Sequence, residues 1–246
     1  MLTGRPMSRL DDLKQFYRLL AQLEKSVGGM RVLSKCHGRM KWSGRGVYFF
    51  FEEGQTRSHS GEGLRIVRVG THAIDKPTSK STLWGRLRSH RGNANNGGGN
   101  HRGSIFRLLV GQALYSQRGM NSNTWGRGSD LKKAASITGI SSPQIEISES
   151  PMEIDVCRKI GAMQFLWLKV DDAPGPKSDR AYLESNSIAL LSNYQRDGID
   201  PIAQGWLGSY SDRPKVQQSG LWNSDYVEKA HATEFLKRLE SRIAAV

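Results

Sequence analysis

Two glycine-bounded runs constrain this chain more than any other feature: "GVYFFFE" from Gly46 to Glu52 and "LRIVRVGT" from Leu64 to Thr71. Both are short and rich in aromatic and β-branched residues, which pack well on a pleated surface, so both read as buried strands. The polar, glycine-containing stretch "EGQTRSHSGEG" between them predicts a hairpin with a long loop. One residue in the first run carries more than packing. Tyr48 is either core filler with its hydroxyl at the rim or a phenol placed for chemistry.

The remaining segments surround this hairpin with helices. Residues 9–27 place Leu13, Phe16, Leu20 and Leu23 at helical spacing, and Gly28 and Gly29 stop the run. In "KSTLWGRLRSHRG", Ser81 or Thr82 caps a short helix with Leu83 and Leu87 inward. "GNANNGGGN" reads as a mobile loop, and Ser104 as the cap of the helix that follows it. From Ser116 to Ser150 hydrophobicity drops, so an insertion of partly ordered structure at about 116–150 is expected. "QFLWLKV", Gln164 to Val170, predicts a third buried strand; "SDRAYLESNSIALLSNY" and residues 225–246 predict two further helices. The expected fold is α+β, a small three-stranded central sheet flanked by helices. The expected organisation is a helical extension over 1–43, a core over 44–195 and a carboxy-terminal extension over 196–246.

Charge narrows the function. The formal net charge is +13, and between Lys76 and Ser129 there is no Asp or Glu. That window carries Arg86, Arg88, Arg91, Arg102 and Arg107 along with His90 and His101. Clustered cations release the counterions condensed on nucleic acid, so a polyanion is the expected partner; a merely solvated basic surface is the plainer reading. No apolar run approaches the ~18 residues of a membrane span, and the amino-terminal residues lack the apolar centre of a signal peptide. Cys36 and Cys157 stand alone, without metal-ligand spacing. A cytoplasmic protein with no membrane partner is expected, and the sequence carries no signal for an oligomeric state.

Two spacings suggest chemistry. Arg86 and His90 lie four residues apart on one helical stripe, either as solvated cations or as a phosphate clamp beside a proton carrier. Ala181, Glu184, Ile188 and Leu191 share another stripe, which sets a carboxylate within an apolar face. Such a group needs compensation, from an ion pair with Arg180 or Lys177 or from a hard divalent cation.

The order of these features, Gly46-Val47-Tyr48, then Arg68-Val69-Gly70, then Arg86, then Glu184, resembles the GIY-YIG nuclease superfamily. The Arg86 and His90 pair resembles its restriction-endonuclease branch. The resemblance covers roughly residues 44–193. One position departs from it, because Arg68 stands where a second tyrosine is expected.

The resemblance implies a Mg²⁺-dependent endonuclease acting on DNA, with Mn²⁺ able to substitute, in a restriction or phage-defence setting. It implies that Glu184 holds the metal, Arg86 stabilises the transition state, and Tyr48, helped by His90 or Arg68, activates water. Arg88, Arg91, His101, Arg102, Arg107 and Asn193 are the expected nucleic-acid contacts. Two other readings stay open: an inert nucleic-acid-binding module of the same fold, and a scaffold that binds acidic partners.

Overall fold

The computed structural model describes residues 8–93 and 97–246. Part of the glycine- and asparagine-rich loop therefore lies outside the described residues. The chain runs α1 (Arg9–Val27), β1 (Arg31–Val32), β2 (Gly46–Thr56), β3 (Leu64–Gly70), α2 (Leu83–Arg91), α3 (Ile105–Gln117), α4 (Leu131–Thr138), α5 (Ser142–Gly161), β4 (Gln164–Lys169), α6 (Asp179–Leu191), α7 (Pro214–Ser219) and α8 (Phe235–Ile243).

The sheet has four strands rather than three, in the order β1-β4-β2-β3, and every pairing is antiparallel. The extra strand, β1, is two residues long and pairs Arg31 with Phe165. So short a strand leaves no alternation to read.

Strand periodicity divides the core. Val47, Phe49, Phe51, Leu166 and Leu168 face one layer, packed against Phe16 and Leu20 of α1, Leu183 and Ile188 of α6 and Phe235 of α8. Tyr48, Phe50, Phe165 and Trp167 face the other, against Leu83 and Leu87 of α2, Phe106 and Leu109 of α3 and Val156 of α5. Alternate residues of a strand point to opposite faces, so one uniformly apolar run fills two cores.

The partly ordered insertion expected at about 116–150 is replaced by helical structure that starts within it. Asp130 caps α4, and Ser141 with Gln144 forms a capping box at the start of α5. The buried face of α5 is Ile145, Glu149, Met152, Glu153, Val156 and Ile160. Two carboxylates in that stripe and Pro151 within the helix hide its amphipathic period in the sequence. The expected closing helix over 225–246 shortens to α8.

Residues 222 and 223 instead run along β3, whose outer edge would otherwise be unpaired. The Trp222 amide donates to Val67 O at 2.6 Å. Asn223 accepts from the Val69 amide through Oδ1 at 3.1 Å and donates through Nδ2 to Val69 O at 2.9 Å. A single side chain thereby reproduces both bonds of a missing strand partner.

Candidate active site

The site lies at the covered edge of β3, where the two layers meet. In the β2–β3 ladder Phe51 faces Ile66 and Phe50 faces Arg68, so Val67 is the extra residue of a bulge. A bulge re-aims the side chains beyond it. Here it sets Arg68 opposite Phe50, with its guanidinium over the Phe106 ring. One step on, Tyr48 pairs with Gly70. A Cβ at residue 70 would come within 2.3 Å of the Tyr48 hydroxyl, so only glycine fits beneath the phenol. At the other end of the motif, a Cβ at residue 46 would meet Leu168 O at 2.4 Å. Both glycines are needed for close approach.

Tyr48 is 0% exposed, and its hydroxyl lies 2.7 Å from His90 Nε2. On the far side of the ring, His90 Nδ1 lies 2.7 Å from Ser104 Oγ, the cap of α3. A chain of three hydrogen-bonding groups thus runs from β2 through α2 to α3. Burial first, then Arg86, Arg68 and Arg107, holds His90 well below the usual imidazole range, so the ring is neutral. Ser104 Oγ can either accept from or donate to Nδ1; in the tautomer with the proton on Nδ1, Nε2 accepts from the phenol.

In front of this chain opens a cavity of 710 Å³ lined by Arg68, Thr71, His72, Arg86, Glu184 and Asp225, among others. Glu184 projects from α6 as the helical stripe predicts. Its Oε1 accepts from the Thr71 amide at 3.1 Å. No cation lies within ion-pair distance of it among the described residues. The ion pair with Arg180 or Lys177 is not formed: Arg180 is fully buried and committed to Asp172 and to the His72 carbonyl. Burial pushes the Glu184 carboxyl up to about 7; Arg68, the Thr71 amide and Arg86 pull it down, and Asp225 adds to the rise.

The two arginines are poised differently. Arg86 donates to Gly103 O at 3.2 Å and keeps Nε unpartnered among the described residues. Arg68 donates to Trp222 O, and its Nε is also unpartnered. Burial lowers the Arg68 pKa from its usual value, while Tyr48 and Glu184 favour its charge.

Tyr48, Arg68, Arg86, His90 and Glu184 are therefore assembled in one place. The expected nucleic-acid contacts are not. Arg107 is 0% exposed, its Nε 3.0 Å from Glu153 Oε2 and its Nη1 3.0 Å from His90 O, so it braces the site from behind and reaches no phosphate. His101 is 2% exposed, stacked on Trp125 with Nδ1 2.9 Å from Glu153 Oε1. Arg102 forms a two-pronged pair with Glu149 at 2.6 and 2.9 Å. Arg91 lies over Trp84 and donates to Cys36 O. Asn193 bonds Arg9 and both backbone groups of Ile199, closing a loop outside the cavity. Of the set, Arg88 alone is exposed.

Sequence reasoning missed His72, Asn223 and Asp225. His72 directly follows the second half-motif, and that adjacency is the one signal available. Asn223 and Asp225 come to the cavity from a segment far along the chain with no pattern to mark it.

Among the described residues no group of three or more His, Cys, Asp or Glu side chains could hold a metal, and no helix is long and apolar enough to cross a membrane. No curated protein and no solved structure matches the chain. A known family described as the GIY-YIG domain matches residues 7–246, the hairpin, the Arg86 helix and the Glu184 helix included. The chain belongs to the GIY-YIG family, whose members are generally endonucleases.

Proposed function

We propose that the protein is a divalent-cation-dependent endonuclease that hydrolyses DNA phosphodiester bonds in restriction or phage defence. The observation that carries this reading is Glu184, an enclosed carboxylate that has no cationic partner among the described residues and shares a cavity with two incompletely paired arginines. An unpaired carboxylate in an enclosed site is costly unless a cation arrives, so the donor set fits a hard ion that keeps much of its shell as water and phosphate oxygen. Bound there, Mg²⁺ or Mn²⁺ would polarise the scissile phosphate and stabilise the leaving oxygen.

The chain's own residues supply the rest. Arg86 and Arg68 offer fixed positive charge to the non-bridging oxygens as charge builds in the transition state. Tyr48 has no exposed surface in the free chain, so its use in the reaction requires the side chains that cover it to give way when substrate binds. As the phenol oxygen takes a proton from the attacking water it releases its own to Nε2 of the neutral His90, and Ser104 fixes that ring's orientation. Arg88 and the surrounding cations hold the strand electrostatically. The basic residue at position 68 favours one competing reading, a module that binds DNA without cutting it.

Supercoiled plasmid incubated with the protein in Mg²⁺ and in EDTA tests the proposal. Nicked or linear product in Mg²⁺ alone is expected. Salt-dependent binding without cutting would establish the binding module, and no binding at all would remove both readings. In the same assay Tyr48→Phe should slow cutting by roughly 10²–10⁴-fold, the range for a lost proton acceptor.

A further inference from the structure

His72 belongs to neither the half-motif nor the Tyr48–His90 chain, yet it lines the same cavity as Glu184 while only 5% exposed. Its two ring nitrogens are in opposite situations. Nδ1 lies 3.1 Å from the Ser81 carbonyl oxygen, which can only accept, so Nδ1 carries the proton. Nε2 has no hydrogen-bond partner among the described residues and is a bare lone pair. Buried polar atoms are nearly always satisfied, and one that is not marks a place where another group is expected.

The geometry points to His72 Nε2 as a nitrogen ligand, beside Glu184, for the divalent cation of this cavity. The inference rests on the reading of Glu184 as the carboxylate that holds that cation. Three features support it. A metal-binding imidazole characteristically donates its other N–H to a carbonyl or carboxylate, which fixes tautomer and ring orientation, and the Ser81 carbonyl does so here. The ring must also present a free lone pair to ligate, and with its proton on Nδ1 toward Ser81 O it keeps one on Nε2. Finally, the carboxylate and the imidazole are anchored by adjacent residues, because the Thr71 amide binds Glu184 Oε1 immediately before His72 in the turn that leaves β3. The segment that carries the imidazole therefore also holds the carboxylate of α6.

The consequence is selectivity. Carboxylate and water suit Mg²⁺ and Mn²⁺ alike, whereas an added imidazole favours the transition-metal ion. Mg²⁺ would keep its oxygen shell and gain little from His72, and Mn²⁺ would bind through both groups.

Mn²⁺ alone, added to the full chain, tests this without any cutting reaction. Pulsed electron paramagnetic resonance of the Mn²⁺-bound protein should show the ¹⁴N modulation of a coordinated imidazole. That signal should vanish in His72→Asn, whose side-chain amide can still donate to Ser81 O but has no ligating nitrogen. Mn²⁺ affinity should fall at least ~10-fold in that variant and Mg²⁺ affinity much less. His72→Gln, which sets an amide oxygen near the Nε2 position, should lose the ¹⁴N signal while recovering part of the Mn²⁺ affinity. It also guards against a misfolded Asn variant, as does an unchanged thermal midpoint. Mn²⁺ binding that depends on Glu184 but shows no ¹⁴N signal assignable to His72 would overturn the inference and leave the reading of Glu184 standing. No Mn²⁺ binding to the wild-type chain would overturn both.

Discussion

Glu184 and Glu153 are carboxylates set among apolar residues on two different helices of one fold, and they meet opposite fates. Glu153, on α5, is closed in by Arg107, by the His101 ring and by the His101 amide at 2.6 Å. Burial alone would raise its pKa, but His101 and Arg107 outweigh burial and leave it below the ordinary value. Glu184, on α6, has one backbone amide, and burial wins. The first carboxylate is spent on structure, holding α5 against α3 and supporting His90 through Arg107. The second is left short of partners where a cavity opens. A buried charge with its partners supplied holds a fold together, and a half-buried charge short of partners beside a cavity is the kind of group a ligand would compensate.

The largest expected effect separates these roles. Glu184→Ala should abolish plasmid cutting, a loss of at least ~10³-fold, as expected when stabilisation of the developing charge is removed. DNA affinity, measured by filter binding, should stay near wild type because the basic surface is untouched. Normal cutting by this variant would dissolve the contrast.

Next in size, Glu153→Ala should destabilise the fold by about 3–5 kcal/mol in urea unfolding, because it strands Arg107 in the core. The depressed pKa of Glu153 gives stability that is present above its unfolded value and lost as pH falls. A silent substitution would mean that this ion pair is no structural element.

A third expectation has the opposite sign. The folded pKa of Glu184, about 7, lies above its unfolded value. Its contribution is therefore intact at low pH, declines as pH rises from roughly 4, the unfolded carboxylate range, and is fully lost above the folded value. Glu184→Gln should leave stability at pH 4 unchanged and raise it at pH 8 by up to the order of 3 kcal/mol, the free energy of such a shift. Unfolding series at the two pH values, without divalent ions, check this; a destabilised variant at pH 8 would show that Glu184 is compensated after all.

The smallest effect sorts surface from interior. Arg88→Ala should reduce the steepness of log K against log salt by roughly 0.9. Arg102→Ala should leave that slope unchanged, since Arg102 already faces Glu149. Equal slopes for both variants would mean that the arginines of the basic window cannot be told apart by pairing.

Much of this was legible in the chain. The helix over residues 9–27, the hairpin strands, a cap at Ser81 or Thr82 and the Glu184 stripe follow from period, glycine and capping chemistry, which act within a few residues and leave their mark in local order, and the folded chain uses Thr82. Tyr48, Arg68, Arg86, His90 and Glu184 could be singled out together only because the order of these elements resembles the GIY-YIG pattern; folding brings the five side chains near one another, and their roles are those proposed above.

What local order cannot carry is which charges meet. The window from Lys76 to Ser129 presents Arg102, His101 and Arg107 as free cations, because Glu149 and Glu153, the groups that neutralise them, stand about 50 residues away on α5. Those same glutamates broke the apolar stripe of α5 and hid the helix. Likewise, Asn223 completes β3 across 154 residues of chain, and His72 Nε2 is the ring nitrogen left over because Nδ1 is taken by the Ser81 carbonyl and nothing folded against the ring supplies a second partner among the described residues. The sequence determined where elements form and which side chains each exposes on a stripe. The tertiary structure alone decided which buried charges found partners, because pairing depends on distances that folding sets, and in this protein that outcome separates the scaffold from the site.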